Sequence, residues 1–137
     1  MKLTRKSTSE TVSLEDGFLF NDEFDWAPIK QNSDYAVNGT FIVQTGKMKS
    51  GRPITLLAKD ASQGWIQRKD LAKLYAWSQL QGERFILEFE HTHDNQVFNV
   101  IFNHEQKAFE VSPLLDSPPL SDDDYYNATM RFLEFNA

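Results

Sequence analysis

Read for the spacing of its apolar residues, the chain is dominated by a period of two. Residues 39–45 (GTFIVQT) alternate, with Phe41 and Val43 on one face and Ile42 and Gln44 on the other. Residues 53–59 (PITLLAK) follow a turn around Ser50-Gly51, and a leading proline belongs at a strand start or an edge. Residues 84–90 set Phe85, Leu87 and Phe89 opposite Ile86, Glu88 and Glu90, the pattern of a strand buried on one side. The polar residues 91–95 suit a hairpin connection into 96–103, where Phe98, Val100 and Phe102 share a face. Residues 108–112 add a short strand. Residues 125–135 are rich in aromatics and predict a long last strand, tied into the middle of a sheet or into a neighbour's sheet.

One stretch breaks this rhythm. Between residues 68 and 80, Leu71, Leu74 and Tyr75 fall at i, i+3 and i+4, with Ser78 at i+7. Asp70 in the first turn suits the helix dipole, and Gly82 is read as the terminator. Trp77 falls off that stripe, facing either a loop of the core or a partner. The expectation is a mainly β fold, an antiparallel split β-barrel or sandwich, with a single flanking α-helix near residues 68–80. The aromatic pairs Phe85/Phe89 and Phe98/Phe102 are read as its core.

The length of 137 residues fits one domain. Residues 1–10 are polar and read as a flexible N-terminal arm that frays or docks on a neighbour. Residues 11–137 read as a single β-barrel domain with an internal loop at 113–124, which holds three of the five prolines together with Asp116, Asp122, Asp123 and Asp124. The N-terminus has positive charge but no apolar run behind it, and no stretch has the ~18 apolar residues of a membrane span. The chain is therefore expected to stay soluble where it is made.

Composition narrows the chemistry. A net charge of −6 argues against a protein that tracks nucleic-acid phosphates. With no cysteine there is no disulfide, thiolate metal site or cysteine nucleophile. The aromatics, 11 of them Phe, suit a chain built for packing.

Three constellations are candidates for chemistry. His91 and His93, two apart, would face the same way on a strand and hold a metal with Asp94, but they fall in a predicted turn. No fourth ligand follows at a recognisable spacing, because His104-Glu105 would sit at the far end of the hairpin. Asp122, Asp123 and Asp124, with Asp116, lack the spacing of a calcium loop. Asp22, Glu23 and Asp25 beside Trp26 suggest paired acids, yet neighbours in sequence cannot supply the separation that glycoside hydrolysis needs. An acidic turn anchored by Phe24 and Trp26 is the simpler reading. Lys47, Lys49 and Arg52 form a basic turn without interleaved aromatics, a weak nucleic-acid motif. No catalytic, cofactor-binding or metal-binding residue is assigned, and no enzyme activity is expected.

The order of features is more informative. Gly51-Arg52-Pro53-Ile54-Thr55-Leu56 opens a strand, and Trp65-Ile66 precedes the helix with Leu71-Ala72-Lys73-Leu74. Phe98-Asn99-Val100-Ile101-Phe102 follows a hairpin, and Tyr125-Tyr126-Asn127-Ala128-Thr129-Met130-Arg131-Phe132 lies near the C-terminus. With Asp22-Glu23-Phe24 ahead of them, this order over residues 18–135 resembles small tail proteins of bacteriophages and prophages, and is similar to the barrel domain of distal tail proteins. The resemblance implies a structural subunit of a phage-type tail, forming a ring that joins the tail tube to the distal tail or baseplate. It implies copies of itself as partners, with tail tube, tape-measure or hub proteins as neighbours. DNA would only pass through the lumen, which negative charge would keep from sticking. The location implied is the virion tail, after assembly in the bacterial host cytoplasm. The interface candidates are the N-terminal arm, a Lys47–Arg52 hairpin and the 113–124 loop. The alternatives are a small β-barrel binding module or metal-dependent hydrolase using His91/His93 or Asp22/Glu23/Asp25, and a carbohydrate-binding module presenting Trp26, Trp65 or Trp77.

Overall fold

The computed structural model describes residues 1–14, 17–58, 64–90, 95–113 and 124–135. In chain order the strands are β1 (Lys2–Arg5), β2 (Thr11–Ser13), β3 (Leu19–Phe20), β4 (Ile29–Tyr35), β5 (Phe41–Lys47), β6 (Pro53–Leu57) and β7 (Trp65–Gln67). The one α-helix among the described residues, α1 (Arg68–Ser78), precedes β8 (Phe85–Glu88), β9 (Val97–Phe102), β10 (Phe109–Pro113) and β11 (Tyr125–Glu134). The fold is mainly β with one helix and antiparallel pairing throughout, as the alternation predicts.

The last strand explains most of the rest. In β11 every second residue is apolar, and Tyr126, Ala128, Met130 and Phe132 are buried while Asn127, Thr129 and Arg131 are half-exposed. A strand this long can serve two neighbours on each flank. On one side it pairs with β7 through residues 125–127 and with β6 through 130–133. On the other it pairs with β10 through 126–130 and with β9 through 132–134.

Each flank is thus a broken strand. Between β9 and β10 a 3-10 turn at His104–Gln106 lifts the chain away, and Lys107 at φ 58° brings it back. Between β6 and β7 the chain returns at Gly64, whose φ of 69° favours glycine. A Cβ at Gly64 would lie 2.5 Å from the Cβ of Ala58, so the two backbones approach too closely for any other residue.

The sheet continues outward from this spine in the order β2-β1-β8-β9-β11-β6-β3. Among the described residues no ladder joins β2 to β3, so the sheet is open and curled. Side chains draw the β3 edge toward the end of the β8–β9 pair, with Phe20 stacked on Phe89 at 5.4 Å and edge-on to Phe98 at 5.9 Å. The core inside the curl includes Leu3, Ile54, Leu56, Leu74, Leu87 and Met130. Phe85 and Phe102 meet edge to face within it at 5.1 Å.

The helix contributes Leu74, Trp77 and Ser78 to the core, while Tyr75 is exposed. The buried stripe is rotated from the expected Leu71/Leu74/Tyr75 face, because Trp77 stacks on Phe85 at 5.6 Å. Gly82, at φ 75°, lies in the turn into β8, four residues beyond the helix.

The N-terminal ten residues are not a flexible arm. Lys2–Arg5 pairs with both β2 and β8, and Leu3 is fully buried. Ion pairs fix the strand at both ends. Lys2 lies 3.5 Å from Glu88 and 3.3 Å from Glu90, and Arg5 donates to Glu83 at 2.8 and 3.0 Å. These charges made the segment look like a solvated tail, but they are the partners of acids on and beside β8. Among the described residues no helix is long and apolar enough to cross a membrane.

Gly64→Ala should destabilise by at least about 2 kcal/mol in urea unfolding, since it adds backbone strain to overlap with Ala58, whereas Gly82→Ala, with open space around it, should cost only about 1 kcal/mol. The hydrogen bonds from Arg5 and from Lys2 hold the carboxyls of Glu83 and Glu90, respectively, below the ordinary glutamate value of 4.5. A lowered folded value gives stability present above the ordinary value and lost as pH falls through the folded one. Melting temperature should therefore drop on acidification from about pH 7 to about pH 3, and the drop should be smaller in Glu83→Gln.

Candidate interaction surface

Residues 29–47 stand apart from the body. β4 and β5 form their own two-stranded sheet of seven residue pairs, from Ile29 opposite Lys47 to Tyr35 opposite Phe41. All fourteen strand residues are exposed. The tip is closed by Ala36 and Thr40, with the Ala36 N–H donating to the Thr40 carbonyl at 2.7 Å and Gly39 at φ 86°. At a rise of about 3.3 Å per residue, the ladder projects roughly 23 Å.

The faces of this arm differ. Pairing places Ile29, Tyr35, Phe41 and Val43 on one side with Gln31, Ser33, Thr45 and Lys47, and leaves Ile42 with Lys30, Asn32, Asp34 and Gln44 on the other. The rings of Tyr35 and Phe41 touch at a centroid distance of 5.1 Å, yet they are 71% and 54% exposed. Val37 at the tip is fully exposed. A two-stranded hairpin is marginally stable by itself in water, and apolar side chains with open strand edges mark a pairing surface. The period of two in residues 41–45 was legible in sequence. Missing was the polar partner strand Ile29–Tyr35, whose only large apolar residues are at its ends.

The arm is held at its root by the acids that looked like candidate chemistry. Asp22 accepts from the Thr55 N–H at 2.8 Å and from the Thr55 hydroxyl at 3.0 Å. Glu23 accepts from Gln96 at 2.8 Å, and its carbonyl accepts from Arg52. The Arg52 guanidinium lies over the rings of Phe20 and Phe98, at 5.2 and 5.5 Å. Asp22 and Glu23 are thus used to tie the turn before the arm onto β6 and the β8–β9 connection. Asp25 is exposed, and Phe24 at 90% exposure does not anchor the turn as expected.

Residues 47–52 do not form a hairpin of their own. They descend from β5 into β6, with the Met48 N–H on the Pro28 carbonyl at 2.7 Å and the Gly51 N–H on the Glu134 carbonyl at 2.8 Å. Arg52 turns inward, so Lys47, Lys49 and Arg52 do not make one basic patch. His91, His93 and Asp94 lie outside the described residues, as do Asp116, Asp122 and Asp123. The Asp124 carbonyl accepts from the first N–H of α1 at 2.8 Å. Among the described residues no three His, Asp or Glu gather to hold a metal. Trp77 is buried, Trp26 is half-exposed and Trp65 packs on Tyr125 at 5.8 Å, which is no coplanar sugar platform.

A cleft of about 330 Å³ opens beside the end of α1, between Leu80, Phe85, Ile101 and Phe135. Arg84 enters it stacked on the Phe135 ring at 4.0 Å, and His104 is bonded to the Ser78 carbonyl at 2.9 Å. Its walls are mostly apolar, and the acid on its rim, Glu83, is paired with Arg5.

Compared with family models, with curated proteins and with solved structures, the chain has no match in any of the three.

The division between body and arm has a direct consequence for stability. Tyr35→Ser and Val43→Ser should change the unfolding free energy of dilute protein by no more than about 0.5 kcal/mol, because both side chains are exposed. Asp22→Ala should cost about 2 kcal/mol, because it removes two hydrogen bonds to a charged acceptor. Denaturant titration monitored by Trp fluorescence measures both.

Proposed function

We propose that the protein is a structural subunit of a phage-type tail, a ring component that joins the tail tube to the distal tail or baseplate, and not an enzyme. The observation that supports this reading is the arm: a ladder of seven pairs that exposes Ile29, Tyr35, Phe41 and Val43 on one face, projecting from a body that has its own core. A segment of this kind stabilises nothing in its own chain. Its apolar face gains free energy only when another surface covers it.

The geometry also favours repetition. The arm and the body offer different surfaces, so a contact between them is head-to-tail, and such contacts close into rings when the rotation permits. The order of strand, helix, hairpin and long last strand that carries the resemblance to distal tail proteins is compatible with this arrangement. Asp22 and Glu23, the acids that a hydrolase reading would use, are engaged in holding the arm's root. The acidic surplus suits a lumen through which DNA passes without binding.

Light scattering tests this reading. Wild-type protein should assemble into particles several times the chain mass of 15.8 kDa. Replacing residues 30–46 by a short Gly-Ser turn, possible because Ile29 lies opposite Lys47, should yield monomers with an unchanged melting temperature. A wild-type chain that stays monomeric at high concentration and beside tail tube or hub proteins would overturn the assembly, and equal assembly without the arm would overturn its role.

A further inference from the structure

We propose that the arm adds its β5 edge to the open edge of β10 in a second copy of this chain, an inference that rests on the assembly reading. Strand edges are pairing templates because their outward N–H and C=O groups lack partners. Outside the arm, β10 is the longest strand among the described residues with one flank unpaired, five residues against three in β2 and β7 and two in β3.

The hydrogen-bond alternation shows which groups are on offer. Arg131 donates its N–H to Ala108 at 2.9 Å, while Ala128 turns the other way, to Gly64 at 3.5 Å. Odd-numbered residues of β11 therefore face β10, and in register with them Glu110 and Ser112 point into the ladder. Phe109 and Val111 direct their N–H and C=O groups away from β11. On the arm, the bonds Ala36 to Thr40 and Met48 to Pro28 place even-numbered residues inside the hairpin ladder. Phe41, Val43, Thr45 and Lys47 then present outward groups along β5. Both edges thus carry the same two-residue spacing, and β5 is long enough to cover the whole of β10.

Side chains and charge select this partner. β5 is rich in residues that favour pleated pairing, Phe41, Ile42, Val43 and Thr45. β10 offers Val111, 45% exposed, and lies beside Tyr75, which is 59% exposed and packs on Phe109 at 6.4 Å. Residues 29–47 contain two of the fourteen basic residues and one of the twenty acidic ones, so the arm carries +1 and the remainder of the chain −7. Glu105 lies just before the acceptor strand, and Lys47 ends the docking strand. A basic arm on an acidic body is drawn to another copy's body, while body against body repels.

The chain has no cysteine, which makes a placement experiment clean. Single variants Val43→Cys and Val111→Cys are mixed, allowed to assemble and treated with a short bismaleimide. Crosslinked dimer should form in the mixture and be largely absent from either variant alone. Val111→Pro removes an outward N–H without touching the β11 ladder, and proline is tolerated at such an edge. It should reduce the assembly to monomer, as added salt should weaken it, with melting of the dilute chain little changed. If wild type assembles and the arm variants do not, but no mixed crosslink forms, the docking site is wrong while the assembly reading stands. If Val111→Pro fails to fold, the crosslink decides alone. A wild-type chain with no assembly overturns both.

Discussion

Everything in the body hangs on the double-flanked ladder of β11. It joins segments that are far apart in sequence, β6 and β7 on one side and β9 and β10 on the other. Because both flanking strands are interrupted, at Gly64 and at the 3-10 turn before Lys107, one long strand spans two stretches of sheet that bend relative to each other. The curl leaves room for Leu74 and Trp77 of the helix to enter the core against Phe85. Alternation in the last strand therefore fixes the orientation of the side chains that fill the interior, and losing the ladder would release both flanks together.

That completeness gives the arm its meaning. The curled sheet wraps its core, and among the described residues the arm is fastened at its root, through Asp22 on Thr55, Glu23 on Gln96 and Arg52 between Phe20 and Phe98. These contacts set the direction in which the arm leaves, not what it touches. Its apolar face and open edges are a cost to an isolated chain and a gain in an assembly, and the same ladder that is marginal alone becomes part of a larger sheet when an edge is covered. Self-association through strand edges also carries a hazard of uncontrolled pairing. The charge difference between arm and body limits it by repelling body from body.

Much of the body was legible in the sequence because its strands obey the period of two. Phe85, Leu87 and Phe89, then Phe98, Val100 and Phe102, then the last strand all place their apolar sets as the alternation predicts. The helix was legible in extent, but its face was turned by Trp77, whose ring finds Phe85 across the core. The strands missed were short or polar. Lys2–Arg5 carries two basic residues whose acidic partners, Glu83, Glu88 and Glu90, lie in a distant part of the sequence, and such pairing has no local signature. Ile29–Tyr35 shows no alternation because neither of its faces is buried. For the same reason the arm, the surface with most to say about function, was visible only as a lone apolar strand. The acids at Asp22 and Glu23 drew attention as chemistry, and their partners Thr55 and Gln96 could be identified only in three dimensions.

Hydrogen exchange of the arm amides, compared between dilute and assembled protein, tests the central claim most directly. The account predicts rapid exchange at Phe41, Val43 and Thr45 in the dilute chain, beside slow exchange at Ala128 and Met130 of β11, and strong protection of those arm amides on assembly. Arm amides that exchange equally fast in the assembled protein, or that are already as protected as β11 in the monomer, would contradict it.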